Sequence, residues 1–166
     1  MTPADLVVGR WGARFMGRSL PCAIGKGGVV SAKREGDGGS PRGCHRVVGG
    51  MYRADRLTRA EMPGWLRPIG PQDCWSDDVR DDAYNHLVRW PRGFSCERLA
   101  RADPLYDLVL MTDYNWPEAK KGAGSAIFLH VWRKARHPTE GCVAFRLADL
   151  LWIVRRWQSD SRVIIR

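Results

Sequence analysis

The stretch Ser125-Ala126-Ile127-Phe128-Leu129-His130-Val131, followed after a short polar loop by Pro138-Thr139-Glu140-Gly141-Cys142-Val143, organises the reading of this chain. Its first part is short, apolar and partly aromatic or β-branched, which reads as a buried strand carrying a histidine. A Gly-Cys pair then opens a second apolar segment. Free cysteine titrates at about 8.5, so a nucleophilic cysteine calls for a neighbouring imidazole or a helix N-terminus. His130 is the candidate base, of a type whose ordinary pKa of about 6.5 suits proton transfer. Gly141 has no Cβ, which lets the backbone turn tightly and come close to a substrate carbonyl. A structural cysteine near an unrelated histidine is the plainer reading, and the pair alone is compatible with both.

Working outward, residues 106–111 and 126–132 are predicted as buried strands, with Tyr114 placed near the groove if those strands are neighbours. Near the N-terminus, residues 6–8, 13–15 and 21–24 read as short β-segments broken by glycine. Residues 25–28 read as a turn, and the glycine- and charge-rich residues 33–43 as a loop. Leu147, Leu150, Leu151 and Val154 recur at helical spacing, so a helix packs on the sheet, and residues 163–165 close it. Residues 51–103 are rich in Pro, Asp and Arg and show little periodicity. So long a stretch inside a compact domain is expected to be functional, folding over the groove. Trp75, Asp78, Tyr84 and Asn85 are its candidates for substrate contact, or for a network that only pins the loop. The expected fold is mainly β (α+β), one domain over residues 1–166, with a C-terminal helix.

At 166 residues and 44% hydrophobic, the chain can build an ordinary single core. Its 27 Lys and Arg against 18 Asp and Glu give a net charge of +9, which attracts polyanions. The arginines are dispersed and follow no nucleic-acid-binding signature, so no nucleic-acid partner is expected. No apolar run is long enough for a transmembrane helix, and Arg10, Arg14 and Arg18 interrupt the N-terminus, so neither membrane insertion nor a signal peptide is read. The five cysteines show no C-x-x-C spacing, and the four histidines are not at ligand spacing. No metal and no cofactor are therefore expected. If Cys142 is the nucleophile, the other four allow three disulfide pairings, with free buried thiols as the default.

Three blocks carry a resemblance. Residues 122–143, with G-x-G-S-A-I-F-L-H and P-T-x-G-C-V, resemble the catalytic segment of the YkuD-type L,D-transpeptidases, cysteine enzymes of bacterial cell-wall synthesis. Residues 33–43, K-R-E-G-D-G-G-S-P-R-G, are similar to a second element of that family. Cys74-Trp75-Ser76-Asp77-Asp78 with Tyr84-Asn85 resembles the W-x-D-D…Y-N segment of its compact proteobacterial branch. The resemblance implies acyl transfer between peptidoglycan stem peptides, donor and acceptor, through a thioester on Cys142, with His130 as base. It also implies an imidazole oriented by a backbone carbonyl, an oxyanion hole from the amides of Gly141 and Cys142, a place in the periplasm or cell wall, and acylation by carbapenem-type inhibitors. The branch is associated with crosslinks from L-alanine to diaminopimelate (1–3) rather than 3–3 links. Two departures stand out. Glu140 occupies a position where many members have histidine, and Ala144 one that is often polar. Thr139 and Arg146 are the expected substrate contacts nearby, with Arg146 taking over carboxylate recognition. A peptidoglycan carboxypeptidase or amide hydrolase using the same nucleophile, and a non-enzymatic basic binding protein, remain the alternatives.

Overall fold

Alternation along the first strands lays down the sheet. In β1 (Leu6–Gly9), Leu6 and Val8 are buried and Val7 is half-buried; in β2 (Gly12–Phe15), Ala13 and Phe15 are buried and Arg14 is exposed. The computed structural model describes residues 1–166. In chain order there follow β3 (Arg18–Leu20), β4 (Cys22–Ala23), β5 (Val29–Val30), β6 (Ser40–Pro41), β7 (Gly43–Tyr52) and β8 (Leu66–Pro68). Next come β9 (Asp73–Ser76), β10 (Leu87–Arg89), β11 (Cys96–Arg98), β12 (Leu108–Thr112), β13 (Phe128–Val131) and β14 (Val143–Phe145). Helix α1 (Leu147–Val154) and β15 (Arg162–Ile165) complete the chain.

The main sheet runs β3-β2-β1-β15-β7-β12-β13-β14-β4, with β8 paired to β7, and curls until it is nearly closed. Helix α1 turns Leu150, Ile153 and Val154 into a core shared with Leu6, Val8, Phe15, Leu110, Leu129 and Phe145. Every residue of β12, β13 and β14 is buried. Their other face meets a second apolar cluster containing Met51, Trp75, Leu99, Tyr106, Val109 and Phe128. Covering on both faces is why these strands read as continuous apolar runs rather than alternating ones.

That second cluster lies beneath the middle segment, which is not the loop its sequence suggests. Residues 73–98 contain a three-stranded antiparallel sheet, β10-β9-β11, forming a small cap. Each strand has three or four residues, too few for a period to show between the prolines and aspartates. A disulfide joins Cys74 of β9 to Cys96 of β11, correcting the expectation of free thiols. Cys22 is free and buried, whereas Cys44 is free and exposed. A cap with so small a core of its own depends on such a link. Closing a loop with a sequence separation of 22 is worth about 3 kcal/mol in the chain-entropy account. The double change Cys74→Ser, Cys96→Ser should therefore lower unfolding stability by about that amount in urea titrations under non-reducing conditions. An unchanged midpoint would mean that the bridge holds nothing the surrounding packing does not.

Candidate active site

Cys142 immediately precedes β14, and His130 lies on β13. These strands are parallel neighbours, with Leu129 opposite Val143 and His130 opposite Ala144. One crossover, residues 132–142, thus brings the two side chains to a common cleft of about 500 Å³. Three backbone segments lock the approach to Cys142. The Ser40 hydroxyl donates to Gly141 O at 2.7 Å and accepts the Gly25 N–H at 2.9 Å. Thr139 and Ile24 exchange backbone contact through Thr139 N–H to Ile24 O at 3.0 Å, and Lys26 N–H donates to Thr139 O at 2.8 Å. Gly141 sits at φ +139°, and a Cβ there would lie 2.8 Å from Gly39 O, so close packing of main chain on main chain selects glycine.

The thiol makes two hydrogen bonds. Cys142 Sγ donates to Ala126 O at 3.0 Å and accepts from Phe128 N–H at 3.4 Å. Neither involves His130. Ala126 has φ +50°, a left-handed conformation that a residue with a Cβ adopts at a cost of about 1–2 kcal/mol. Its N–H is held by Asn85 Oδ1 at 3.0 Å. His130 Nδ1 lies 2.8 Å from Val131 O, so the ring donates there and leaves Nε2 with its lone pair. The Tyr106 ring meets the imidazole edge-on at 5.5 Å.

Burial dominates the titration of both groups. It pushes the Cys142 thiol up to about 12, partly offset by the Phe128 amide and augmented by the Glu97 charge. It brings His130 down to about 4, against the raising effect of the Val131 carbonyl. Both shifts favour the neutral thiol and the neutral imidazole over an ion pair. Alkylation of Cys142 by iodoacetamide, followed by peptide mass mapping, should rise about tenfold per pH unit between pH 7 and 10, because thiolate is the reactive form. A plateau below pH 8 would instead reveal a thiolate–imidazolium pair. On the acid side, His130 stays unprotonated, and hence competent as a base, until the pH falls towards about 4.

The other singled-out residues occupy two kinds of place. Thr139 lines the cleft, and its hydroxyl donates to Cys142 O at 2.6 Å while accepting the Gly141 N–H at 3.2 Å. Trp75 is buried against Phe128, with ring centroids 5.0 Å apart. Asn85 is 2% exposed at φ +60° and uses all of its bonding capacity. Besides Ala126 N–H, its Oδ1 accepts Trp75 Nε1–H at 2.9 Å, and its Nδ2 donates to Tyr114 O at 3.1 Å and Asn115 O at 2.7 Å. Tyr84 donates to the Glu35 carboxylate, and Tyr114 to Ala123 O at 2.8 Å. Asp78 receives a two-pronged bond from Arg80 at 2.9 and 2.6 Å, which holds its carboxyl well below the usual carboxylate range. Trp75, Tyr84, Asn85 and Tyr114 thus lie where the cap meets the main sheet and its loops, whereas Asp78 is bonded only within the cap, to Arg80 and to Ser95 N–H. Arg146 precedes α1 and pairs with Asp149 at 3.3 Å, away from the cleft wall.

Four charged cleft residues escaped the sequence reading: Asp77, Glu97 and Arg101 from the cap region, and Arg133 from the crossover. Adjacent residues of an extended segment face opposite ways. Asp77, not Asp78, consequently meets the cleft, and that alternation was the one available signal. The cleft carries both signs of charge, so the excess of arginine is not concentrated in it. No group of three His, Cys, Asp or Glu side chains is placed to hold a metal ion. No helix is long and apolar enough to cross a membrane.

The sequence model of the YkuD L,D-transpeptidase catalytic domain matches residues 12–165, nearly the whole chain. The chain belongs to that family. L,D-transpeptidase activity on peptidoglycan stem peptides follows from that membership in general terms. No curated protein and no solved structure matches the chain.

Proposed function

We propose that this YkuD domain crosslinks peptidoglycan by a two-step acyl transfer on Cys142. The observation that carries the reading is the placement of His130 on β13 and of Cys142 immediately before the adjoining parallel strand β14, both lining one cleft. His130 Nε2 takes the thiol proton as sulfur attacks an amide carbonyl of the donor stem, and gives it to the departing amine. Gly141 already spends its N–H on Thr139, so the Cys142 N–H is the amide we assign to the developing oxyanion. The acceptor amine then attacks the thioester and regenerates the thiol. Because the resting pair is neutral, the proton moves only as substrate arrives, which spares the nucleophile from oxidation and stray alkylation. Energy is conserved from one amide to the next, so no nucleotide is needed. Such a reaction takes place at the cell wall, outside the cytoplasmic membrane.

Purified protein incubated with defined diaminopimelate-containing muropeptides should yield crosslinked dimers, read by tandem mass spectrometry. Fragmentation distinguishes an L-alanine–diaminopimelate (1–3) bond, the type we propose, from a 3–3 bond. Trimmed monomers alone would establish a hydrolase, and unchanged substrates would argue against enzymatic action on stem peptides.

A further inference from the structure

The cleft wall facing Cys142 and His130 is supplied by the cap, and its chemistry is unusual for a peptide groove. Glu97, on β11, and Asp77, just after β9, both line it. Oδ1 of Asp77 is shut off from solvent and has no hydrogen-bond partner. Such an atom costs free energy unless a donor arrives from elsewhere. Glu97 is also undersupplied. The Arg101 guanidinium binds Asp103 with two bonds of 2.9 and 2.6 Å, and reaches Glu97 only at 3.6 Å. Glu97 shares the cleft lining with Tyr106, the residue whose ring meets the His130 imidazole edge-on. The Glu97 charge is close enough to be felt by the thiol itself. Two carboxylates short of donors, across a cleft from a nucleophile, form the complement of a cation rather than of a neutral peptide.

We propose that Glu97, with Asp77 beside it, is the amine subsite of this cleft: it holds the acceptor's ammonium opposite the Cys142 thioester and accepts its proton. This rests on the acyl-transfer reading above and extends it to the second half-reaction. An ammonium has no lone pair and cannot attack. Glu97 takes one proton, the freed nitrogen lone pair forms a bond to the thioester carbonyl carbon, and the C–S bond breaks with its electron pair on sulfur. The second nitrogen proton passes by way of His130 to that sulfur. An ammonium, a carboxylate and a thioester thus become an amide, a carboxylic acid and a thiol, and Glu97 then returns its proton to solvent. Burial raises the carboxyl of Glu97, against the lowering effects of Tyr106 and Arg101 and with the raising effects of Asp77 and Asp103, making it a better proton acceptor.

The test separates the half-reactions. Thioester formation from a muropeptide donor is timed by rapid-quench intact mass, and single-turnover transfer is timed to a muropeptide with a free diaminopimelate amine. In Glu97→Gln the ratio of the transfer rate to the thioester-formation rate should fall at least about tenfold near pH 7. The deficit should shrink as the pH approaches that of the free amine, and should vanish with hydroxylamine, which is already neutral. Asp77→Asn should show the same pattern, more weakly. Equal slowing of both half-reactions, unaltered transfer, or the same deficit with hydroxylamine at every pH would overturn the assignment. Failure of the unaltered protein to form any thioester would overturn the acyl-transfer reading itself, and would be seen before any variant was made.

Discussion

Replacing Cys142 with alanine is expected to abolish thioester formation and crosslinking, by at least about a thousandfold, while leaving the protein folded. The size of the loss follows from covalency. Without sulfur there is no acyl-enzyme, and the remaining groups (one backbone N–H and a neutral imidazole) can only polarise a carbonyl that nothing attacks. The stability cost is small because alanine keeps the Cβ and the thiol makes only two weak bonds, to Ala126 O and from Phe128 N–H. Removing it should cost about 1 kcal/mol. Muropeptide product analysis read beside a thermal melt therefore distinguishes lost chemistry from lost fold. Residual dimer formation in the alanine variant would place the nucleophile elsewhere.

Asn85→Ala should have the largest structural effect of any single change in the cap. The substitution leaves Trp75 Nε1–H, Ala126 N–H and the carbonyls of Tyr114 and Asn115 without the partners that Asn85 supplies. Each group so orphaned in a buried site costs about 1–3 kcal/mol, although carbonyls can recruit water more readily than donors can. Alanine also tolerates φ +60° less well than asparagine, adding up to about 1 kcal/mol. Together these give about 4 kcal/mol, or a melting temperature lower by roughly 10 °C for a domain of this size. Activity should fall further than stability alone explains. Ala126, once its N–H is released, no longer has its strained conformation enforced, and its carbonyl is the acceptor that aims the Cys142 thiol. A variant with unaltered melting temperature and turnover would show that the cap is seated by its disulfide and apolar contacts instead. Asn85 is thus linked to Cys142 through Ala126, whose N–H it holds and whose carbonyl accepts the thiol.

Much of this architecture was legible from local pattern. Leu6, Val8, Ala13 and Phe15 alternate because one face of a strand is buried. Leu147, Leu150, Leu151 and Val154 recur at helical spacing because one stripe of α1 meets the sheet. The pairing of His130 with Cys142 was legible for a similar reason, since a single crossover between adjacent parallel strands separates them and their distance in the fold is nearly set by the loop between. The family's motifs, too, are contiguous strings of residues.

What the tertiary structure alone decided involves partners distant in the chain. Cys74 could have paired with any of three cysteines, and only the antiparallel register of β9 and β11 selects Cys96. Asn85, read as a candidate for substrate contact, spends every donor and acceptor on Trp75, Tyr114, Asn115 and Ala126, segments it meets only after folding. Asp77 and Glu97 reach the cleft because the cap arches over it, a placement no spacing between them encodes. The titration of Cys142 and His130 belongs here as well. A cysteine and a histidine carry their ordinary pKa values in any sequence, and it is burial, a property of the assembled fold, that moves the thiol up and the imidazole down.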